Sequence, residues 1–370
     1  MGRSAFPLSS SSASSSCPSR RRPRASRCPS KPGAAYRRDV QGCRVRGIGG
    51  GMQFSPSVYE HAARLIDRSP WDVSRDGELL VRAHAAAWRR YAHAPVVVGI
   101  DIYNLEAEAY GATVERPEGN DIPAIGTHPV RDLAALASLP PFDPRSGRPA
   151  LVIDAGRRLK REFPGADIRI PVSGPFSIAA NLAGFETLLE GCLVDPAGAR
   201  AALTRVAANQ EPFVRAIADA GLDVAFFESA ATPPLLAPRQ FREIEVPAVQ
   251  PLLDRFAAIV GHPVAFVMGG NTVPILDALL EMGCGYVCCP VESDQAAFMA
   301  RMAARPDVMV RVNMDHRIVA GPSWEAIRAE ADRVVSLCRG RQKVCIGTGA
   351  LPYETPPENV LRLREYVTPL

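Results

Sequence analysis

From Met52 onward, short apolar runs rich in β-branched residues alternate with longer stretches of helical periodicity. These runs predict parallel strands that are buried on both faces, because their apolar character is continuous and does not alternate. They lie at 95–101, 168–174, 224–229, 264–270, 286–292, 308–313 and 344–349.

Amphipathic patterns between these runs predict helices, most clearly over 195–221 and 323–340. Asp195 and Ser323 stand where N-caps are expected, and Gly221 and Gly340 stand where the helices should end. The chain therefore repeats a strand–helix unit.

This repetition predicts an α/β fold, a single (β/α)₈ barrel over residues 52–370, since such barrels need about 250 residues. The eighth strand should precede Pro95, in a segment whose pattern does not locate it. An open doubly wound sheet is the alternative, although no Gly-rich dinucleotide motif follows any strand.

Residues 1–51 form a leader rich in Ser, Pro and Arg, with almost no acids and no apolar periodicity. Such a composition predicts a disordered extension that takes no part in the fold. It resembles an organelle transit segment, or it is translated upstream sequence with Met52 as the true start. The second interpretation is favoured because no amphipathic helix precedes Met52.

Charge and cysteine content limit the partners and the cellular compartment that we expect. Of 43 Lys and Arg residues, 11 lie in the leader, as does one of 39 Asp and Glu residues, so residues 52–370 carry a net charge of −6. We therefore expect no nucleic-acid partner, and no apolar run has the length of a membrane span. Six of the nine cysteines follow the leader at uneven spacing, which is typical of reduced thiols in a cytoplasmic protein.

In a barrel of this kind, working groups lie at the carboxyl ends of the strands. Four carboxylates on one rim would repel one another unless protonated, hydrogen-bonded or paired with a cation, although some of them can instead be helix caps. The residues at the predicted strand ends are Asp101, Ser173, Glu228, Asn271, Glu292, Asp315 and Thr348.

Asp101 is the strongest catalytic candidate, because it ends an apolar run and neighbouring acids such as Glu228 or Asp315 would favour its protonated form. Of Glu106 and Glu108, at most one can face the same way as Asp101. An Asp101→Asn variant is expected to lose about 100-fold in rate with little change in stability.

His316 and two adjacent cysteines are weaker candidates for catalysis or metal binding. His316 stands beside Asp315, where a lone histidine is more often a structural hydrogen-bonding group than a catalyst. Cys288 and Cys289 are adjacent in a strand, so their side chains point to opposite faces and cannot bind one metal.

Five stretches together resemble the uroporphyrinogen decarboxylase superfamily, which includes corrinoid-dependent methyltransferases. They are "GIDIYNLEAEAYGATVE" (99–115), "VSGPFSIAANLAGFETLLEGCLVDP" (172–196), "GGNTVPILDALLEMGCGYV" (269–287), "RVNMD" (311–315) and "GTGALPYETPPENVLRLREYV" (347–367). The resemblance also implies a (β/α)₈ barrel.

The methyltransferase branch holds zinc with a His-x-Cys pair and a late cysteine, and by resemblance these positions fall on Val267, Gly269 and Gly349. None of these residues has a ligating side chain. We therefore expect no metal at this site.

The decarboxylase branch has an aspartate that binds pyrrole N–H groups, and by resemblance it falls on Asp101. The family's Arg-rich N-terminal stretch has no counterpart, its tyrosine falls on Asn181 and its late histidine on Thr348. Together with the residues at the predicted strand ends and His316, these positions give the expected substrate-binding set: Ser173, Asn181, Glu228, Asn271, Asp315, His316 and Thr348.

The first functional hypothesis is a carboxy-lyase of porphyrin metabolism, acting without a cofactor on a tetrapyrrole or related small molecule, with Asp101 as its central acid. The second is a methyltransferase that works with a corrinoid protein and lacks the usual zinc ligands. The third is a binding barrel without catalysis. A cytoplasmic homodimer is compatible with each.

Overall fold

The structure, a computed structural model, describes residues 52–368, so the leader lies outside the described residues. Its strands are β1 (Gln53–Ser57), β2 (Val96–Val97), β3 (Val114–Glu115), β4 (Ala124–Ile125), β5 (Ile168–Ser173), β6 (Asp223–Phe227), β7 (Ala265–Val267), β8 (Tyr286–Cys289), β9 (Met309–Met314) and β10 (Val344–Ala350).

Eight of these described strands are parallel and surround one interior. They pair in the orders β1-β10-β9-β8 and β2-β5-β6-β7, while β3 and β4 form a separate antiparallel ribbon. One cavity is lined by a side chain from each of the eight, including Ser55, Val97, Arg169 and Arg311. The two four-stranded sheets therefore curve into a (β/α)₈ barrel, as predicted.

All seven predicted strands are confirmed, and β1 supplies the eighth. Its sequence, Gln-Phe-Ser-Pro-Ser, lacks the continuous apolar run by which the other strands were predicted. It pairs with β10, Phe54 opposite Ile346, and this pairing closes one side of the barrel.

Helices follow most of the strands. They are α1 (Glu60–Arg64), α2 (Pro70–Arg75), α3 (Gly77–Tyr91), α4 (Leu105–Ala109), α5 (Leu133–Ala137), α6 (Gly147–Glu162), α7 (Pro175–Ala183), α8 (Phe185–Val194), α9 (Pro196–Ala208), α10 (Glu211–Asp219), α11 (Pro238–Gln240), α12 (Val246–Val260), α13 (Leu276–Glu281), α14 (Gln295–Met302), α15 (His316–Ala320), α16 (Trp324–Cys338) and α17 (Pro357–Val367). A π-helical turn, Phe241–Glu245, leads into α12.

The cap predictions hold, but one predicted helix is two. Asp195 caps α9 by accepting from the Gly198 N–H at 2.9 Å, and Ser323 caps α16. The segment predicted as one helix over 195–221 breaks into α9 and α10 at Pro212. Proline has no N–H to donate to the carbonyl four residues earlier, and its ring clashes with that carbonyl.

The main core lies between the strands and the helices, where residues such as Val172, Phe226 and Val312 are fully buried. The barrel interior holds two smaller apolar clusters among polar groups. Within residues 52–368 no single helix is long and apolar enough to cross a membrane; only α7 and α8 together, which meet at 116°, reach that length and composition.

Candidate functional site

Asp101 lies in a buried ion-pair network after β2. The Arg148 guanidinium binds both of its carboxylate oxygens, with Nη1 2.7 Å from Oδ2, and the Asn104 amide donates to the same oxygen at 3.1 Å. Glu108 accepts from Arg148 at 3.0 Å and lies 3.2 Å from Arg75. Asp101 therefore anchors its loop through Arg148, and Glu108, rather than Glu228 or Asp315, is the acid beside it.

Glu228 lies behind the strand ends, where it meets the first turn of α7. It accepts from the backbone N–H of Phe176 and Ser177 and from the Ser177 hydroxyl, at 2.5 Å. Burial raises the pKa of Glu228 to about 7, and burial together with Glu228 raises that of Glu245 well above its ordinary value. The two carboxyl groups thus hold at least one proton at neutral pH. They do so away from the barrel mouth, which is the end of the barrel where the parallel strands finish.

Ser173 and Thr348 are also fully buried, and both are hydrogen-bonded. Ser173 donates its N–H and hydroxyl to Glu106, at 2.7 and 3.0 Å, and burial raises the pKa of Glu106 to about 7. Thr348 accepts from the Ser57 N–H at 3.1 Å, which ties β10 to β1. Both residues thus connect structural elements to one another beneath the strand ends.

Asn271, Asp315 and His316 lie at the carboxyl ends of β7 and β9 and are at least partly exposed. Asp315 caps α15 and pairs with Arg317 at 2.7 Å, and the hydrogen bond from Arg317 lowers its pKa. The His316 Nδ1 is buried without a partner, and a Cβ on Gly349 would lie 2.5 Å from it. Glycine at 349 therefore leaves the space that the imidazole occupies.

Sequence reasoning missed the hydroxyl and aromatic groups that do face the mouth. The Tyr103 hydroxyl lies 2.6 Å from Ser229 Oγ, and Ser229 Oγ accepts from the Gly269 N–H at 3.0 Å. Phe227 packs edge-to-face against Tyr59 and Tyr103, with ring centroids 6.2 and 6.0 Å away. Strand alternation identifies this side, because Phe227 and Ser229 share a face that Glu228 does not.

Asn181 positions this group from α7. Its amide donates to the Tyr103 carbonyl at 2.8 Å, and its own backbone carbonyl contacts His128 Nδ1 at 2.8 Å. The segment carrying Tyr103 is thereby fixed against α7. Of the predicted substrate-binding residues, Asn181 is the one whose side chain bonds the backbone of Tyr103.

The described residues do not fit a zinc ion. Val267, Gly269 and Gly349 offer no ligating side chains, and residues 52–368 contain no group of three or more His, Cys, Asp or Glu that could hold a metal. Cys288 packs inside the barrel and Cys289 in the outer core, so they do face opposite ways. Burial raises the pKa of both thiols, which leaves them protonated.

Comparison with known proteins identifies the chain's relatives. A solved structure described as a methyltransferase from Methanosarcina mazei aligns with a TM-score of 0.71 at 20% identity, covering 86% of this chain and 94% of the other. A putative B12-independent methionine synthase from Listeria monocytogenes aligns with a TM-score of 0.45 at 13% identity, covering 79% and 84%. No curated protein matches.

The likeness to the Methanosarcina protein supports the barrel fold, since identity this low carries fold alone. The sequence itself matches a family profile over residues 52–369, which includes every residue of the mouth. The chain belongs to the uroporphyrinogen decarboxylase (URO-D) family.

Proposed function

We propose that the protein is a methyl-transferring enzyme whose small, weakly charged substrate binds beside Ser229 and Tyr103. The observation that carries this proposal is the pairing of charges around the mouth. Arg148 is engaged by Asp101 and Glu108, and Arg317 by Asp315. Guanidinium groups neutralised in this way are poor receptors for the carboxylates of a porphyrinogen.

The hydrogen-bond pattern gives Ser229 a definite role. Its oxygen accepts from the Gly269 N–H, and burial raises the pKa of Tyr103, so the phenol keeps its proton. The two hydroxyls, 2.6 Å apart, share one hydrogen bond in which either can donate, and this leaves one O–H of the pair free to donate to a ligand. Such a donor stabilises negative charge on the oxygen or nitrogen atom from which a methyl group departs.

The aromatic wall complements this donor. Phe227, Tyr59 and Tyr103 give a methylated substrate an apolar contact surface. The described hydrogen bonds of the Ser229 and Tyr103 hydroxyls include no base, and a protonated hydroxyl is a weak nucleophile, so in this proposal the methyl acceptor comes from outside the chain. A corrinoid carried by a partner protein supplies that acceptor in this proposal.

The Methanosarcina protein is described as a methyltransferase, which supports the same reaction class. The carboxy-lyase hypothesis stays a prediction. By resemblance the family's aspartate falls on Asp101, but the side chain of Asp101 is fully enclosed by Arg148 and Asn104. A non-catalytic barrel would not require the donor arrangement at Ser229.

The test is methyl transfer to reduced cobalamin from a panel of methylated amines, ethers and thioethers, followed by the cobalamin absorption spectrum. Ser229→Ala should lower the rate by about 100-fold, the cost of removing one such donor. The matched control is Ser336→Ala on the exposed face of α16. Equal rates for wild type and Ser229→Ala would refute the role of this hydroxyl.

A further inference from the structure

A second site lies inside the barrel, at the end where the strands begin. A cavity of about 20 Å³ is enclosed there by residues of all eight parallel strands, among them Ser55, Arg311 and Cys345. That space is enough for one or two water-sized particles. It lies below the strand ends that carry Ser229 and His316, and Tyr59 and Phe227 line it on that side.

Arg311 on β9 dominates this cavity. Its side chain is 6% exposed, and its Nε is buried without a partner. A Cβ on Gly347 would lie 2.5 Å from Arg311 Cδ, so the glycine makes room for the arginine to cross the interior. The Ser55 Oγ, which lines the same cavity, is likewise buried without a partner.

The carboxylates at this end of the barrel are paired with another arginine. Asp167 binds Arg169 at 2.8 and 2.9 Å, and Asp223 lies 3.7 Å from Arg169 and 3.3 Å from His262. Among residues 52–368 no carboxylate forms an ion pair with Arg311. Its positive charge thus lacks a counter-charge from an acidic side chain.

The polar groups that interact with Arg311 are neutral at physiological pH. They are the thiols of Cys288 and Cys345 and the phenols of Tyr59 and Tyr286. Burial raises the pKa of Cys345 and of Tyr59 to about 12, and raises those of Cys288 and Tyr286 despite the nearby guanidinium. Each is a hydrogen-bond donor and none is an anion.

We propose that this cavity binds a single halide ion, chloride under ordinary conditions, on the guanidinium of Arg311. Arginine keeps its charge in proteins, and burying a charge without a partner is strongly unfavourable. A monatomic anion is the charged ligand closest in size to the one or two water molecules that this cavity can hold. The Ser55 hydroxyl, which is buried without a partner, is available to complete its coordination.

Thermal unfolding of the full chain tests this site when chloride replaces gluconate at constant ionic strength. The wild-type midpoint should rise by a few degrees and saturate, because a ligand of the folded state stabilises it by mass action. Arg311→Met should lose this dependence. Arg239→Met, which removes an arginine from the surface, should keep it. A wild-type midpoint that is equal in chloride and gluconate would overturn the proposal.

Two further measurements cover the remaining outcomes. Crystals of the wild type grown with bromide should show an anomalous peak beside Arg311, which tests the site even if Arg311→Met does not fold. Cys288→Ala should keep the chloride dependence. If the dependence is absent in wild type and appears only in Cys288→Ala, a Cys288 thiolate is the counter-ion and the halide site does not exist.

Discussion

Replacing Asp101 with asparagine tests the ion pair that the structure places below the barrel mouth. The change keeps the side-chain volume but removes the charge that faces Arg148, whose side chain is 7% exposed. Removing one partner of a buried pair costs about 3–5 kcal/mol, because the other charge stays buried. Since Glu108 still binds Arg148, we expect the lower end, about 3 kcal/mol. This replaces the sequence-based expectation of little stability change.

Urea unfolding measures the effect in a cycle of Asp101→Asn, Arg148→Met and the double variant. Each single change should destabilise by about 3 kcal/mol, and the double variant should cost clearly less than their sum, because no unpaired charge remains. Asp277→Asn, in the exposed pair with Arg301, is the control and should cost about 1 kcal/mol or less. A loss below about 1 kcal/mol for Asp101→Asn would show that the pair is not what holds this loop.

Four further predictions concern pH, metal and the leader. Burial lowers the folded-state pKa of His84 from 6.5 to about 4, so the stability that is present above pH 6.5 is lost as the pH falls towards 4. Unfolding measured at each pH should show the wild type losing about 3 kcal/mol over this range relative to His84→Gln. The raised pKa values of Glu228 and Glu245 act in the opposite sense, since the stability present below pH 4.5 is lost as pH rises towards 7 and above. Glu245→Gln removes one of these two titrating groups and should flatten that loss in melting curves from pH 4.5 to 9. Elemental analysis after dialysis should find no stoichiometric zinc; zinc that disappears in Cys288→Ser would contradict this. Deleting residues 1–51 should leave the melting temperature unchanged, and a drop of several degrees would count against it.

The strands were predictable because each carries its own local evidence, a continuous apolar run. The strand β1 was not, since Ser55 and Ser57 interrupt its pattern and its burial comes from pairing with β10. Helix ends followed from caps such as Asp195 and Ser323, whereas the break before α10 required weighing Pro212 against an otherwise helical periodicity.

The candidate site was harder to predict because its contacts join distant parts of the chain. Asp101 binds Arg148, which lies 47 residues further along the chain, and the sequence around Asp101 does not predict that partner. At β6 the local sequence does carry information: side chains alternate along a strand, so an inward Phe227 sets Ser229, and not Glu228, towards the mouth. Charge draws attention to Glu228, which the structure buries against the first turn of α7.

One side-by-side assay tests the proposed reaction most directly. The full chain would be given uroporphyrinogen in one reaction, and reduced cobalamin with the methyl-donor panel in the other, with Ser229→Ala alongside. We predict methyl transfer to cobalamin that depends on Ser229, and no release of carbon dioxide from the porphyrinogen. Carbon dioxide release that Asp101→Asn abolishes, without any methyl transfer, would contradict the proposal and establish the carboxy-lyase instead.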